Sequence, residues 1–319
     1  MKKTNFERAI FLSWYCSVGD CTFCYMSTQK ELISDPKKAK RSYESIFSEA
    51  IITKACGWDV EFLSGGYDSY SFDEIVFITK TISEITGKKQ WLNIGTLNKS
   101  ELQKILPYIE GFTGAVECVN EKVRKQVCPS KPLAPIIKTY KYCDELNIKK
   151  GMTQIIGLGE TIEDFSHLKK FIEENKIDRI TFYSLNPQKG TCFTKSPELE
   201  YYTSWIKKTR ESFPNLEIIA GAWHDKTNYF SKILEAGADN FTKFPGIKMF
   251  GTDKAKDVEH EIKIAKKEFI GTFTKMPKID WDFEIEKLSL NKPLEMRLKK
   301  KLVEYLKKME KNTKNTKTF

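Results

Sequence analysis

The sequence predicts an α/β fold of the (β/α)8, TIM-barrel type with a helical C-terminal extension. Three observations carry this expectation. Short apolar runs alternate with amphipathic stretches at intervals suited to strand–helix units, the pattern that builds a parallel sheet. Eight such runs occur, the number that closes a barrel. The 319 residues, 40% of them hydrophobic, suffice for one barrel-sized core.

Taken in order, the first strand is residues 9–12 and the second, reached through a helix over 42–56, is 60–63. The third, fourth and fifth are 91–94, 114–117 and 152–156. The last three are 179–183, 216–220 and 240–244. Residues 1–250 read as the barrel and 251–319 as a helical extension, where Leu298, Leu302, Leu306 and Met309 form a stripe that packs on the barrel exterior. Every polar residue singled out below falls at or just past the carboxyl end of a strand, where barrels assemble their chemistry.

Cys16, Cys21 and Cys24 follow the first strand directly, within nine residues. Three thiolates at this spacing suit a short loop around an iron–sulfur cluster, because soft sulfur ligands are what such clusters require. The next cysteine is Cys56, so a cluster held here keeps one iron open. A zinc knuckle would want a second Cys or His pair at comparable spacing, and unrelated cysteines would pack as small apolar groups.

Composition agrees. No stretch approaches the roughly 18 apolar residues of a membrane span, and no signal-peptide core follows Lys2 and Lys3. Eight cysteines, three clustered and five scattered, do not form a disulfide framework, which places the chain in the reducing cytoplasm. Part of the formal charge of +10 sits on Lys299, Lys300, Lys301, Lys307, Lys308, Lys311, Lys314 and Lys317. No aromatics interleave that run, so it reads as a solvated helix face and tail rather than a nucleic-acid arm.

With its cysteine loop the chain resembles the radical SAM superfamily, whose signature is C-x3-C-x2-C with an aromatic residue before the third cysteine. Phe23 holds that aromatic position, and the first gap is one residue longer here, enclosing Ser17, Val18, Gly19 and Asp20. The resemblance implies a 4Fe–4S cluster on Cys16, Cys21 and Cys24 whose open iron chelates the amino and carboxylate groups of S-adenosylmethionine (SAM). One-electron reduction, by a ferredoxin or flavodoxin, then yields methionine and a 5'-deoxyadenosyl radical that takes hydrogen from a substrate.

Four further strand ends resemble the biotin synthase-like subgroup. Ser64, Gly65 and Gly66 match the segment that receives the SAM amino group, although Tyr67 and Asp68 stand where the family has Glu. Glu117 matches the acidic position that reaches the ribose, and Arg124 offers a planar fork for the SAM carboxylate. Ile155 and Gly157 fall on the adenine side of a Gly-Leu-Gly-Glu-Thr segment in which Glu160 stabilises the turn, and Asn186 opens an Asn-Pro-x-x-Gly-Thr segment over the adenosyl space. The same turn reads independently as a helix start capped by Thr161 with Asp164.

The relatives closest in pattern are biotin synthase, the HydE-type hydrogenase maturase, methylornithine synthase, HmdB-type enzymes and the archaeal two-protein lipoyl synthases. The positions that hold biotin synthase's second cluster correspond to Leu63, Trp91 and Thr153, which excludes biotin synthesis. Cys118, Cys128 and Cys192 could face the barrel mouth as an auxiliary cluster or substrate site, or pack as apolar groups. The segments around Cys128 and residues 269–274 resemble the archaeal lipoyl synthases, implying sulfur insertion into an octanoyl chain on a protein lysine, with a second radical SAM subunit as partner. His224 is the histidine best placed for proton transfer, and residues 245–253 and 277–290 are expected to form a lid. The competing readings are an iron–sulfur carrier without catalysis and an enzyme acting on tRNA, for which no RNA-binding module is evident.

Overall fold

The computed structural model of the chain describes residues 1–315. Among these residues ten strands are present: β1 (Lys2–Thr4), β2 (Glu7–Phe11), β3 (Asp59–Ser64), β4 (Gln90–Asn93), β5 (Ile109–Glu117), β6 (Lys149–Ile156), β7 (Arg179–Ser184), β8 (Glu217–Gly221), β9 (Asn240–Thr242) and β10 (Lys267–Phe269). Strands β2 to β9 form one sheet in sequence order, every neighbouring pair parallel. Helices cover its outside, so strands such as β6 are buried at every residue but the first.

The sheet curls into a barrel that is split along one side. Among the described residues no strand ladder joins the edges β2 and β9; an isolated bridge pairs Phe6 with Phe241, the Phe241 amide donating to the Asn5 carbonyl at 3.1 Å, and side-chain bonds from Asn240 supplement it. Below this seam β1 and β10 pair as a separate two-stranded parallel sheet. Sequence reading missed these two strands because three residues each, mostly charged, carry no hydrophobic period. It also drew the eighth strand too long: β9 ends at Thr242 because Lys243 turns to φ +73°, outside the extended region.

Local signals place the helices. Ser71 and Glu74 form a reciprocal capping box at the start of Phe72–Thr86, and Asn98 with Glu101 does the same for Lys99–Ile105. Thr161 and Asp164 cap the turn before Phe165–Asn175. The final helix, Lys292–Asn315, buries Leu298, Leu302, Leu306 and Met309. It lies on Tyr43–Ala55, where Ser45 Oγ and Tyr305 OH share a hydrogen bond of 2.9 Å. Lys317, assigned to the lysine-rich tail, lies outside the described residues.

Helix Trp281–Glu286 packs beside that last helix, and Glu284 pairs with Lys54 at 3.0 Å. Lys54 stands at the foot of Tyr43–Ala55, so residues 277–290 lie toward the amino-terminal end of the barrel and not over its mouth. Residues 269–274 also have a structural part. Phe273, fully buried, packs on Phe6, Trp58, Phe241 and Phe244, while the Trp58 indole donates to the Thr272 carbonyl at 3.0 Å.

The barrel interior is polar. In its lower layer Arg179 makes two bonds to the Glu217 carboxylate, at 2.8 and 2.7 Å, and lies 4.5 Å over the Trp91 ring. Glu7 beside it is 2% exposed, and burial pushes its carboxyl up to about 8 against the pull of Arg179. One Glu7 oxygen accepts from Asn240 Nδ2 at 2.9 Å; the other accepts no hydrogen bond and faces the Arg179 guanidinium at 3.9 Å. In the layer above, Glu61 accepts from Thr242 Oγ1 at 2.6 Å and from the Tyr183 hydroxyl. No helix of the described chain is long and apolar enough to cross a membrane.

Candidate active site

Leaving β2 at Phe11, the chain runs over the mouth as the cysteine loop and re-enters regular structure at helix Tyr25–Gln29, which Cys24 precedes as its N-cap residue. The loop is pinned on two sides. On one, Gly66 lies flat beneath it: a Cβ there would stand 2.0 Å from the Tyr15 carbonyl oxygen and 2.5 Å from Cys16 Cβ. Ser69 Oγ donates to that same carbonyl at 2.9 Å, and the Ser17 amide donates to the Tyr67 carbonyl at 3.2 Å. On the other side the Thr22 amide donates to the Val127 carbonyl at 3.0 Å, and Asp20 accepts from the Ser130 amide at 3.2 Å.

Cys16, Cys21 and Cys24 are free thiols, each partly exposed. Among the described residues no three His, Cys, Asp or Glu side chains converge as a ready-made metal cage. The donor set nonetheless fits a thiophilic cluster: three soft ligands on one pinned loop, with convergence left to the metal–sulfur bonds themselves. The Cys128 thiol donates to Cys21 and holds it below its ordinary range, whereas burial pushes Cys24 up to about 11. Phe23 and Cys24 line a cavity of about 650 Å³ that runs down the seam between β2 and β9.

The remaining strand ends surround this space. Glu117 closes β5 at φ +61°, a conformation rare outside glycine, and its carboxylate is fixed by Lys131 Nζ at 3.2 Å and Thr153 Oγ1 at 3.0 Å. Ile155 and Asn186 line the cavity. Gly157 and Gly159 adopt φ of +107° and +117°, and the Glu160 carboxylate accepts from the amides of Gly157 at 2.6 Å and Leu158 at 2.8 Å. The glycines and the glutamate thus build one turn, as the sequence segment leads one to expect.

Three sequence expectations need correction. Arg124 is buried, not exposed, and its fork is spent on the carbonyls of Val116, Cys118 (3.4 Å) and Lys131 (2.5 Å), so it braces the loop and offers no fork to a SAM carboxylate. Cys118, Cys128 and Cys192 do not assemble: the first two are buried among Val127 and Leu158, while Cys192 is exposed. Cys118 donates weakly to the Asn120 carbonyl at 3.8 Å. His224 is not among the cavity-lining residues; its neighbour Trp223 is, with the indole donating to the Ser184 carbonyl at 3.3 Å. The polar groups that the sequence reading left out are Lys131, Glu61, Tyr183 and Lys243. Their one signal was a charged or hydroxyl-bearing residue at an inward position of an otherwise apolar strand, or, for Lys131, just after a cysteine.

A split barrel carrying a three-thiol loop beside an aromatic cavity is an enzyme scaffold for metal–thiolate chemistry at the carboxyl ends of its strands. Residues 15–172 match the family model described as the radical SAM superfamily. The chain is 44% identical over 273 residues to an uncharacterized protein of Methanocaldococcus jannaschii, spanning 85% of this chain and 75% of that one. It is 27% identical over 209 residues to the ribosomal protein uS12 methylthiotransferase RimO of Polynucleobacter asymbioticus, spanning 56% of this chain and 45% of that protein. Among solved structures, methylornithine synthase (PylB) superimposes with a TM-score of 0.65 at 20% identity, over 75% of this chain and 72% of that one. SuiB of Streptococcus suis, bound to S-adenosylmethionine, gives 0.51 at 18% identity, over 76% and 58%. The chain belongs to the radical SAM superfamily, whose members are enzymes that use a 4Fe–4S cluster and SAM.

Proposed function

We propose that Cys16, Cys21 and Cys24 hold the 4Fe–4S cluster and that the chain directs a 5'-deoxyadenosyl radical at a small substrate lying in the seam cavity. The observation that carries this reading is the placement of Cys24 and Phe23 on the wall of that cavity, so that the thiol loop and the substrate space share one surface. When bound, the cluster supplies the electron and the open iron at which SAM is cleaved. The chain itself positions and shields. Gly66 and Ser69 fix Cys16, and Glu117, oriented by Lys131 and Thr153, presents carboxylate oxygens suited to ribose hydroxyls. Ile155 and the turn at Gly157 offer an apolar face for adenine, and Asn186 an amide beside it. Phe244 and Pro245 line the seam side and keep water from the reacting carbon.

For the substrate, the mostly apolar wall supports either an acyl chain or a small apolar-bodied metabolite. Sulfur insertion into a protein-bound octanoyl chain, as in the lipoyl synthases, would need a sulfur source. Cys118 and Cys128 are buried in one apolar cluster while Cys192 is exposed, which favours a second subunit as the source. Chemistry on a small molecule, of the kind named for methylornithine synthase, needs no such source and is the reading we favour. An external one-electron donor of the ferredoxin or flavodoxin type completes the cycle in the cytoplasm.

The test is anaerobic reconstitution of the wild type and of a Cys16/Cys21/Cys24 to Ala triple variant, with iron counting and 5'-deoxyadenosine assay in SAM and dithionite. About four irons per chain and deoxyadenosine in the wild type alone are expected. Iron binding without SAM cleavage, in the presence of reductant, would return the chain to the carrier reading.

A further inference from the structure

We propose that Lys243 is the docking point for a single carboxylate on the substrate, so that the seam cavity accepts an apolar body carrying one negative charge. This deepens the small-substrate reading above and rests on it for the reaction, though not for the binding.

Lys243 sits where β9 ends, at φ +73°, a backbone state that a side chain with Cβ adopts only when its surroundings hold it. The turn delivers the side chain into the barrel mouth instead of toward the outer helices. Its stem crosses the end of β8 at Gly221, where a Cβ would stand 2.9 Å from both Lys243 Cγ and a Tyr183 ring carbon. A bare backbone at that position is therefore part of how the lysine reaches the cavity. Its ammonium lies 4.2 Å from the centre of the Tyr183 ring and 5.6 Å from that of Phe11. Aromatic faces hold a cation in place yet occupy none of its N–H donors.

Two carboxylates act on Lys243 from across the barrel, and neither takes its donors. Glu61 is engaged by the hydroxyls of Tyr183 and Thr242, and Glu117 by Lys131 and Thr153. The Cys24 thiol is the third titratable group whose charge reaches it. Among the described residues Lys243 has no hydrogen bond or ion pair, whereas the other inward-facing cations, Arg179 and Lys131, are each paired with a carboxylate. A half-buried lysine with free donors at the wall of a cavity is a site for an anion.

The charge count sets the class of ligand. One unpaired cation neutralises one negative charge, which suits a carboxylate and leaves a phosphate dianion half-compensated. Phe11, Trp14, Phe23, Trp223 and Phe244 give the wall a large aromatic part that takes an apolar body, beside Asn186, Gln188, Arg8, which is paired with Glu49, and Glu7. An octanoyl group in amide linkage has no charge to offer Lys243, so the proposal separates the two substrate readings.

The test uses the full chain, reconstituted and anaerobic, with octanoate and its uncharged isostere octanamide as probes, read by quenching of Trp14 and Trp223 fluorescence and by calorimetry. Octanoate is expected to bind saturably and about tenfold or more tightly than octanamide. Lys243→Gln is expected to abolish that preference by weakening octanoate alone, and Lys243→Arg to keep it. Should the glutamine variant fail to fold by circular dichroism, Lys243→Met, which keeps the apolar stem, reads the same quantity. Equal binding of the two probes by the wild type, or a preference that survives Lys243→Gln or Lys243→Met, overturns the proposal. Failure of the wild type to cleave SAM strikes instead at the reaction and leaves these binding results standing.

Discussion

Gly65 and Gly66 are adjacent and chemically identical, yet the structure predicts opposite fates for an alanine at each. A Cβ on Gly66 would lie 2.0 Å from the Tyr15 oxygen, 2.5 Å from Cys16 Cβ and 2.6 Å from Cys16 Cα, where contacts under 3.0 Å essentially do not occur. Relief requires the loop to shift by about 1 Å, which is overpacking against backbone and not against a flexible side-chain tip. The shift also breaks the Ser69 to Tyr15 hydrogen bond of 2.9 Å. Together these cost roughly 2–4 kcal/mol. For a chain of this size that lowers Tm by about 3–6 °C. On Gly65 the same methyl group meets only Leu12 Cβ at 3.8 Å, an ordinary contact. Both variants are to be reconstituted anaerobically and compared by iron content, cluster absorbance and thermal melting. Gly66→Ala should retain well under half of the wild-type iron because Cys16 is displaced, while Gly65→Ala loads normally and melts within about 1 °C of the wild type. Full iron loading by Gly66→Ala, or an equal loss in both variants, would refute the view that this glycine positions the first thiol.

Other outcomes follow from the same geometry. Glu7 is raised to about 8 by burial, so the folded chain holds a proton there that the unfolded chain releases near 4.5. Stability gained from that proton is complete below 4.5 and is lost as pH rises toward 8, at up to about 1.4 kcal/mol per pH unit. Urea melts of Glu7→Gln should therefore show a flatter decline between pH 5 and 8, and an unchanged slope would count against it. In the cluster-free chain Cys21 should be alkylated by iodoacetamide well before Cys24, whose thiol burial lifts to about 11, and Cys128→Ala should slow Cys21; peptide mapping with Cys24 modified first would contradict the assignment. Arg124→Lys, which cannot reach three carbonyls at once, should cost about 2–3 kcal/mol in denaturant unfolding while leaving the KM for SAM within twofold. A rise in KM without loss of stability would restore Arg124 to the cofactor.

The barrel was legible because each strand is an apolar run bounded by turn signals, and the thiol loop because cysteine spacing survives without any knowledge of the third dimension. Glu160 was readable for the same reason: its partners, Gly157 and Leu158, lie within three residues of it. The long-range polar groups were not. Lys243 takes its meaning from Gly221, Tyr183 and Phe11, which are distant in sequence and meet only when the sheet curls. Arg124 misled in the opposite sense, since a basic residue on a short helix gives no sign that backbone carbonyls will claim it. The cysteines beyond the loop were ambiguous from composition alone, since nothing in the sequence shows that Cys118 and Cys128 share one apolar cluster with Cys128 against Cys21.

The seam joins residues that are 235 positions apart, as the Asn5 and Asn240 contact records. On a growing polypeptide, β2 and the thiol loop leave the ribosome long before β9 and β10 exist to meet them. Gly66 and the strand that carries it arrive early and can seat the loop, but the wall bearing Lys243 and the clip between β1 and β10 are laid down much later, followed by the closing helices. The order of synthesis therefore gives this enzyme a period in which its thiols are arranged and still approachable from the side. Closing the fold and enclosing the substrate space are the same late event.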